Sequence, residues 1–151
     1  MQKLSQKSSK EVNKEGLANE AEKLLFSLAP QSSATVVGLY GELGAGKTSF
    51  VQALAKILGV SQNVTSPTFV IEKIYKLDNS KLNNGRFNRL IHIDAYRLKD
   101  SRELKALDWD TIVSDPKNLI VIEWADTVED ILPKDTKKIY LSILHHNMRV
   151  I

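Results

Sequence analysis

At 151 residues the chain is long enough for one compact domain with a sizeable core, and 42% hydrophobic with 26% charged residues is ordinary soluble globular composition. The absence of cysteine excludes disulfides and thiolate metal sites and fits a cytoplasmic protein, while no apolar run reaches membrane-spanning length and the Lys/Ser/Gln-rich start does not read as a secretory leader. The net charge of +3 is all carried by Lys3, Lys7, Lys10 and Lys14 against Glu11, so residues 15–151 balance to zero. The basicity therefore belongs to residues 1–14, read as a flexible tail over 1–9 running into a domain over 10–151, rather than to a nucleic-acid surface.

In chain order, Ser8 and Glu11 have capping-box spacing, and Leu17, Ala21, Leu24 and Leu28 repeat at helical spacing before Pro30. Thr35 to Tyr40 is a short β-branched run that predicts a buried strand. After residue 48, Val51, Leu54, Ala55 and Leu58 form the stripe of an amphipathic helix that Gly59 stops. Thr68 to Leu77 predicts a strand, Asp78 to Asn88 a polar hairpin loop with an Asn-Asn-Gly turn, and Arg89 to Asp94 the partner strand. Asp100 with Glu103 predicts a capped short helix through Leu107. Leu119 to Glu123 predicts a buried strand ending on a carboxylate. Asp126 with Glu129 predicts another capped helix before Pro133, and Lys138 to Leu144 a final strand. Strands alternating with helices give an α/β domain, and the central hairpin makes its sheet mixed.

Between the first strand and the second helix, Gly41 to Thr48 (GELGAGKT) fits the phosphate-loop pattern G-x-x-x-x-G-K-S/T. Four fixed positions coincide by chance in roughly 0.5% of chains this long, and the strand–loop–helix order lowers that further. Glycines let backbone N–H groups turn inward on phosphate oxygens, and the helix start adds the positive end of its dipole. Lys47 can reach the β- and γ-phosphates, and the Thr48 hydroxyl can ligate Mg²⁺.

Asp94 and Glu123 each end a predicted strand, where ligands gather in open α/β sheets. Either carboxylate could hold the metal, the other orienting a hydrolytic water. Thr65-Ser66-Pro67-Thr68-Phe69 puts several hydroxyls around a stiffening proline, which suits either a nucleotide-sensing loop or an ordinary Ser-Pro turn. Arg97 could neutralise phosphate charge or form a surface ion pair. Trp109 and Trp124 read as core or interface anchors. His92, on the strand face of Asp94, reads as a packed histidine. The adjacent His145 and His146 do not converge as a metal site.

Four blocks, GELGAGKT (41–48), TSPTF (65–69), HIDAYRL (92–98) and VIEW (121–124), together resemble in order and spacing the TsaE (YjeE) family over roughly residues 10–144. Its members are small bacterial ATPases needed to make threonylcarbamoyladenosine beside the tRNA anticodon. The resemblance implies a single-domain P-loop NTPase fold with a mixed central sheet flanked by helices. It implies ATP and Mg²⁺ as cofactors and slow hydrolysis by the chain alone. It also implies action with the TsaD and TsaB proteins, so that tRNA is met only through that complex. By the same resemblance Gly41, Leu43, Gly44, Ala45, Gly46, Lys47 and Thr48 contact the phosphates. Thr48 and Glu123 ligate Mg²⁺. Lys47, Asp94 and Glu123 are catalytic, and Ser66 and Thr68 belong to a nucleotide-responsive loop. The adenine side maps loosely onto Lys10, Glu11 and the region around Arg149. The 78–88 loop looks longer than the family norm, which would alter a partner surface or, the favoured reading, be a tolerated surface insertion. The competing readings are a P-loop small-molecule kinase and a nucleotide-dependent interaction module with little turnover. The absence of an N-K-x-D signature argues against GTP.

Overall fold

The computed structural model describes residues 10–11, 14–42, 44–65, 67, 69–78, 83, 85–142 and 147–150. Its strands are β1 (Lys10–Glu11), β2 (Thr35–Tyr40), β3 (Glu72–Lys76), β4 (Arg89–Asp94), β5 (Asn118–Glu123), β6 (Lys137–Ser142) and β7 (Asn147–Val150). Its helices are α1 (Lys14–Ser27), α2 (Lys47–Ile57), α3 (Ser101–Lys105) and α4 (Trp109–Ser114), with a 3-10 helix over Ala125–Ile131. The strands form one sheet in the order β1-β7-β6-β2-β5-β4-β3. β2, β4, β5 and β6 run parallel, and antiparallel β3 and β7 border them. This is a single-domain P-loop NTPase fold with a mixed central sheet flanked by helices.

Every residue of β2 and β5 is buried, as continuous β-branched and aliphatic runs covered on both faces should be. Strand alternation divides the core in two. Val37, Leu39, Leu90, Leu119 and Val121 meet α1 and α2 on one face. Val36, Ile91, Ile93, Ile120 and Ile122 meet Leu104, Trp109, Ile112 and Val128 on the other. The predicted stripe of α2 is real: Val51, Leu54, Ala55 and Leu58 are all buried, joined by Phe50. Each of these side chains larger than alanine contributes about 2 kcal/mol of transfer free energy. At the helix end, Gly59 N–H donates to the Lys56 carbonyl and Val60 N–H to that of Ala55, with Gly59 at φ 85. That paired closure needs a left-handed residue, which glycine supplies without strain.

Several boundaries differ from expectation. The strand expected from Thr68 begins only at Glu72. The Val70 and Ile71 N–H groups both turn back onto the Pro67 carbonyl, at 3.1 and 2.6 Å, and Ile71 takes φ 68. Asp126 does not cap a helix. Left-handed Trp124 precedes a 3-10 turn without a side-chain cap, and Glu129 instead accepts from Tyr40 Oη and Lys138 Nζ. Asp100 does cap α3, accepting from Arg102 N–H at 2.9 Å, while Glu103 reaches back to Lys99 N–H. Helix α4, with only six residues after left-handed Asp108, is too short to show a periodic pattern in sequence. The last predicted strand runs as Lys137–Ser142, and β7 then pairs back along it. Its other edge takes β1, so the stretches around Lys10–Glu11 and Arg149 are strand neighbours. The expected tail over 1–9, with Ser8, and His145 and His146 lie outside the described residues, but Glu11, expected to close a capping box, lies in β1, and α1 starts only at Lys14.

The 78–88 loop is more than a surface insertion. Asn83 is buried, donates to the Asp78 and Phe87 carbonyls at 3.0 and 2.7 Å, and accepts from Phe87 N–H at 3.0 Å. Phe87 thereby enters the core beneath α1 and α2. Asn83→Ala is expected to destabilise the chain by about 2 kcal/mol, because buried backbone groups lose their partners. Urea unfolding reads this directly, and an unchanged midpoint would mean the loop closes without that brace.

Candidate nucleotide and metal site

The phosphate loop leaves the end of β2 between its neighbours β5 and β6, where an open α/β sheet forms its ligand crevice. Gly41 has φ 143, Gly44 φ 81 and Gly46 φ 103. Gly46 is the N-cap of α2 and offers no side-chain cap, so the first N–H groups of the helix stay available to an anion. Lys47, 4% exposed, opens the helix. Its Nζ donates back to the Gly41 and Glu42 carbonyls at 2.6 and 2.8 Å, and lies 3.9 Å from the centre of a Trp124 ring. Burial lowers the Lys47 pKa from the usual lysine range, against the opposing pull of Glu123 and then Asp94.

The carboxylates come from adjacent parallel strands. Register sets Asp94 of β4 beside Glu123 of β5, both buried and on the α2 face of the sheet. Thr48 Oγ1 donates to Glu123 Oε1 at 2.8 Å, bridging 75 positions of sequence. Asp94 Oδ1 accepts from Tyr96 N–H at 3.0 Å, which turns the chain away immediately after the strand. Ile71 O accepts from Asp94 N–H, tying the 67–71 turn to the same strand end. Of the non-glycine residues with left-handed backbone, Ile71 and Trp124 flank this site. Such backbone strain collects at functional loops.

Of the sequence candidates, Gly41, Gly44, Ala45, Gly46, Lys47, Thr48, Asp94 and Glu123 are thus brought together. Leu43, Ser66 and Thr68 lie outside the described residues. The Arg97 guanidinium lies 4.8 Å from the centre of the exposed Phe69 ring. Trp109 is a core residue, as expected. Trp124 and His92 hold more than their packing roles suggested. The first covers Lys47, and the second places Nε2 2.5 Å from Glu123 Oε2. The signal for both was position, one residue after Glu123 and two before Asp94.

Hard oxygen donors with few protein ligands suit Mg²⁺, which keeps waters and substrate oxygens in its shell. The Thr48 hydroxyl and Glu123 carboxylate form such a pair, with Asp94 alongside. Among the described residues no group of three or more His, Cys, Asp or Glu could hold a metal by itself, so a protein-only cage is not offered. No helix among them is long and apolar enough to cross a membrane.

The family model "Threonylcarbamoyl adenosine biosynthesis protein TsaE" matches residues 12–151. A Streptomyces coelicolor protein named "tRNA threonylcarbamoyladenosine biosynthesis protein TsaE" is 43% identical over 101 residues, covering 66% of this chain and 63% of that protein. A Bacillus subtilis protein of the same name is 37% identical over 106 residues, or 70% and 60% of the two chains. The match thus spans less than two thirds of these relatives' own length. The crystal structure of Bacillus subtilis YdiB superposes with a TM-score of 0.66 at 28% identity, covering 92% of this chain and 78% of that one. With the family model spanning nearly the whole sequence, the chain belongs to the TsaE family.

Proposed function

We propose that this chain binds ATP with Mg²⁺ and hydrolyses it in the cytoplasm, as the ATPase component of threonylcarbamoyladenosine synthesis on tRNA. In this reading it works with the TsaD and TsaB proteins and meets tRNA only through them. The observation that carries the reading is the Thr48–Glu123 hydrogen bond at the foot of an uncapped glycine loop, because it places a hydroxyl and a carboxylate together beside a buried lysine. Thr48 and Glu123 would hold Mg²⁺, which supplies charge neutralisation on the phosphate oxygens when bound. Lys47, now spent on two loop carbonyls, is the cation that can turn to the β- and γ-phosphates. Asp94, beside Glu123 and without a place in the hydroxyl pair, would orient the attacking water. The family membership and the names of the relatives support the placement in tRNA modification.

Lys47→Ala is expected to weaken binding of a non-hydrolysable ATP analogue about 100-fold, since two charge-assisted contacts to phosphate would be lost. Calorimetric titration measures it, and unchanged affinity would sink the nucleotide assignment. Phosphate release is then followed with and without TsaD, TsaB and tRNA. Partner-stimulated release supports the ATPase reading. Tight binding without release would point to an interaction module, and transfer of phosphate to a metabolite would point to a kinase.

A further inference from the structure

The Glu123 carboxylate is held at both oxygens. Thr48 Oγ1 donates to Oε1 at 2.8 Å, and His92 Nε2 lies 2.5 Å from Oε2. His92 reaches it diagonally across the β4–β5 pair, because its own register partner is Val121 and that of Glu123 is Asp94. The imidazole is fully buried, on the sheet face that also carries Leu90 and Val121. Its Nδ1 has no hydrogen-bond partner among the described residues. A buried nitrogen left unpaired lowers stability, and an apolar side chain would fill this place without that penalty. The contact with Glu123 is what the imidazole adds.

We infer that His92 is a positioning residue, fixing Glu123 Oε2 so that Oε1 stays turned toward Thr48 and the metal seat. The inference rests on the nucleotide reading above. It adds a residue from a third element to the Thr48–Glu123 pair. A carboxylate anchored at one oxygen is restricted in rotation, so the other meets a cation in one geometry rather than several. Outer-shell groups commonly orient metal ligands in this way.

The test uses the whole chain and a non-hydrolysable ATP analogue, titrated by calorimetry first in chelator and then at rising Mg²⁺. His92→Leu should keep the metal-free affinity, because the phosphate loop is untouched. It should raise the Mg²⁺ concentration that gives half of the metal-dependent gain about tenfold. His92→Gln carries an amide nitrogen at nearly the reach of Nε2 and should stay close to wild type. His92→Asn, one methylene shorter, should behave like the leucine variant. A wild-type Mg²⁺ requirement in His92→Leu would overturn the proposal. If that variant does not fold, the Gln–Asn pair decides, and equal requirements in the two overturn it. A fall in metal-free affinity matching the loss with Mg²⁺ also overturns it, since that pattern belongs to general disruption of the site. Failure of the nucleotide reading itself shows separately, as a wild-type chain without any Mg²⁺-dependent gain.

Discussion

Replacing Asp94 by asparagine is expected to lower ATP turnover about 100-fold or more while leaving affinity for the nucleotide near wild type. Glu123→Gln is expected to lower both. The difference follows from what each carboxylate touches. Glu123 shares a hydrogen bond with the Thr48 hydroxyl, so removing its charge would strip the proposed metal seat. Asp94 lies one strand away and accepts from Tyr96 N–H through Oδ1. Asparagine keeps an oxygen there, so the turn after β4 survives and only the charge is lost. Stability supplies an independent reading. Two buried carboxylates in register on one face repel, and Lys47, drawn to both, offsets part of that repulsion. Asp94→Asn should therefore leave the melting temperature of the nucleotide-free chain unchanged or raise it, as expected where a site is arranged for chemistry at the expense of stability. The measurements are single-turnover phosphate release in the presence of TsaD, TsaB and tRNA, analogue binding, and thermal unfolding. Wild-type turnover in Asp94→Asn would remove Asp94 from the chemistry. Equal loss of affinity in the two variants would make it a second metal-seat residue instead.

The parts of this site that were legible in sequence are those whose chemistry is local. Gly41 to Thr48 is a contiguous loop, and its glycines, lysine and hydroxyl are spaced by the phosphate they would surround. Asp94 and Glu123 stood out because acids at the ends of apolar strands have few structural reasons to be there. Their lateral pairing needed the order β2-β5-β4, a long-range fact that no local pattern carries. The same limit hid His92: a histidine two residues before Asp94 on the same strand face looks like packing until β5 is laid beside it. Elements were misread where backbone torsion, rather than side-chain pattern, decides. Thr68 to Leu77 is rich in strand formers, yet left-handed Ile71 and the turn onto Pro67 delay the strand to Glu72. Trp124 takes φ 58 directly after β5, so Asp126 falls inside the first turn rather than at its cap. Short elements that depend on pairing, such as β1 against β7, have no periodicity to read at all.

Gly41→Ala is expected to destabilise the fold by about 3–5 kcal/mol, far more than Gly46→Ala at about 1–2 kcal/mol, although both glycines belong to the same loop. Gly41 has φ 143, a region open essentially to glycine alone, and a Cβ there would sit 2.3 Å from the Leu141 carbonyl oxygen. That oxygen belongs to β6, which is paired with β2 on one side and β7 on the other, so it cannot retreat without breaking sheet hydrogen bonds. Gly46 also has positive φ, at 103, but a Cβ there would meet nothing within 4 Å. Only the torsional strain applies at that position, together with interference at the uncapped start of α2. Urea unfolding of the two variants should therefore show a much lower midpoint for Gly41→Ala with an unchanged slope. Titration with the ATP analogue should show Gly46→Ala losing affinity while still folded. Equal midpoints would mean that the end of β2 can shift away from β6, and that the loop is less firmly built into the sheet than the Gly41–Leu141 approach implies. If instead the ordering holds, the first glycine of the phosphate loop serves the sheet, and Gly46 serves the ligand.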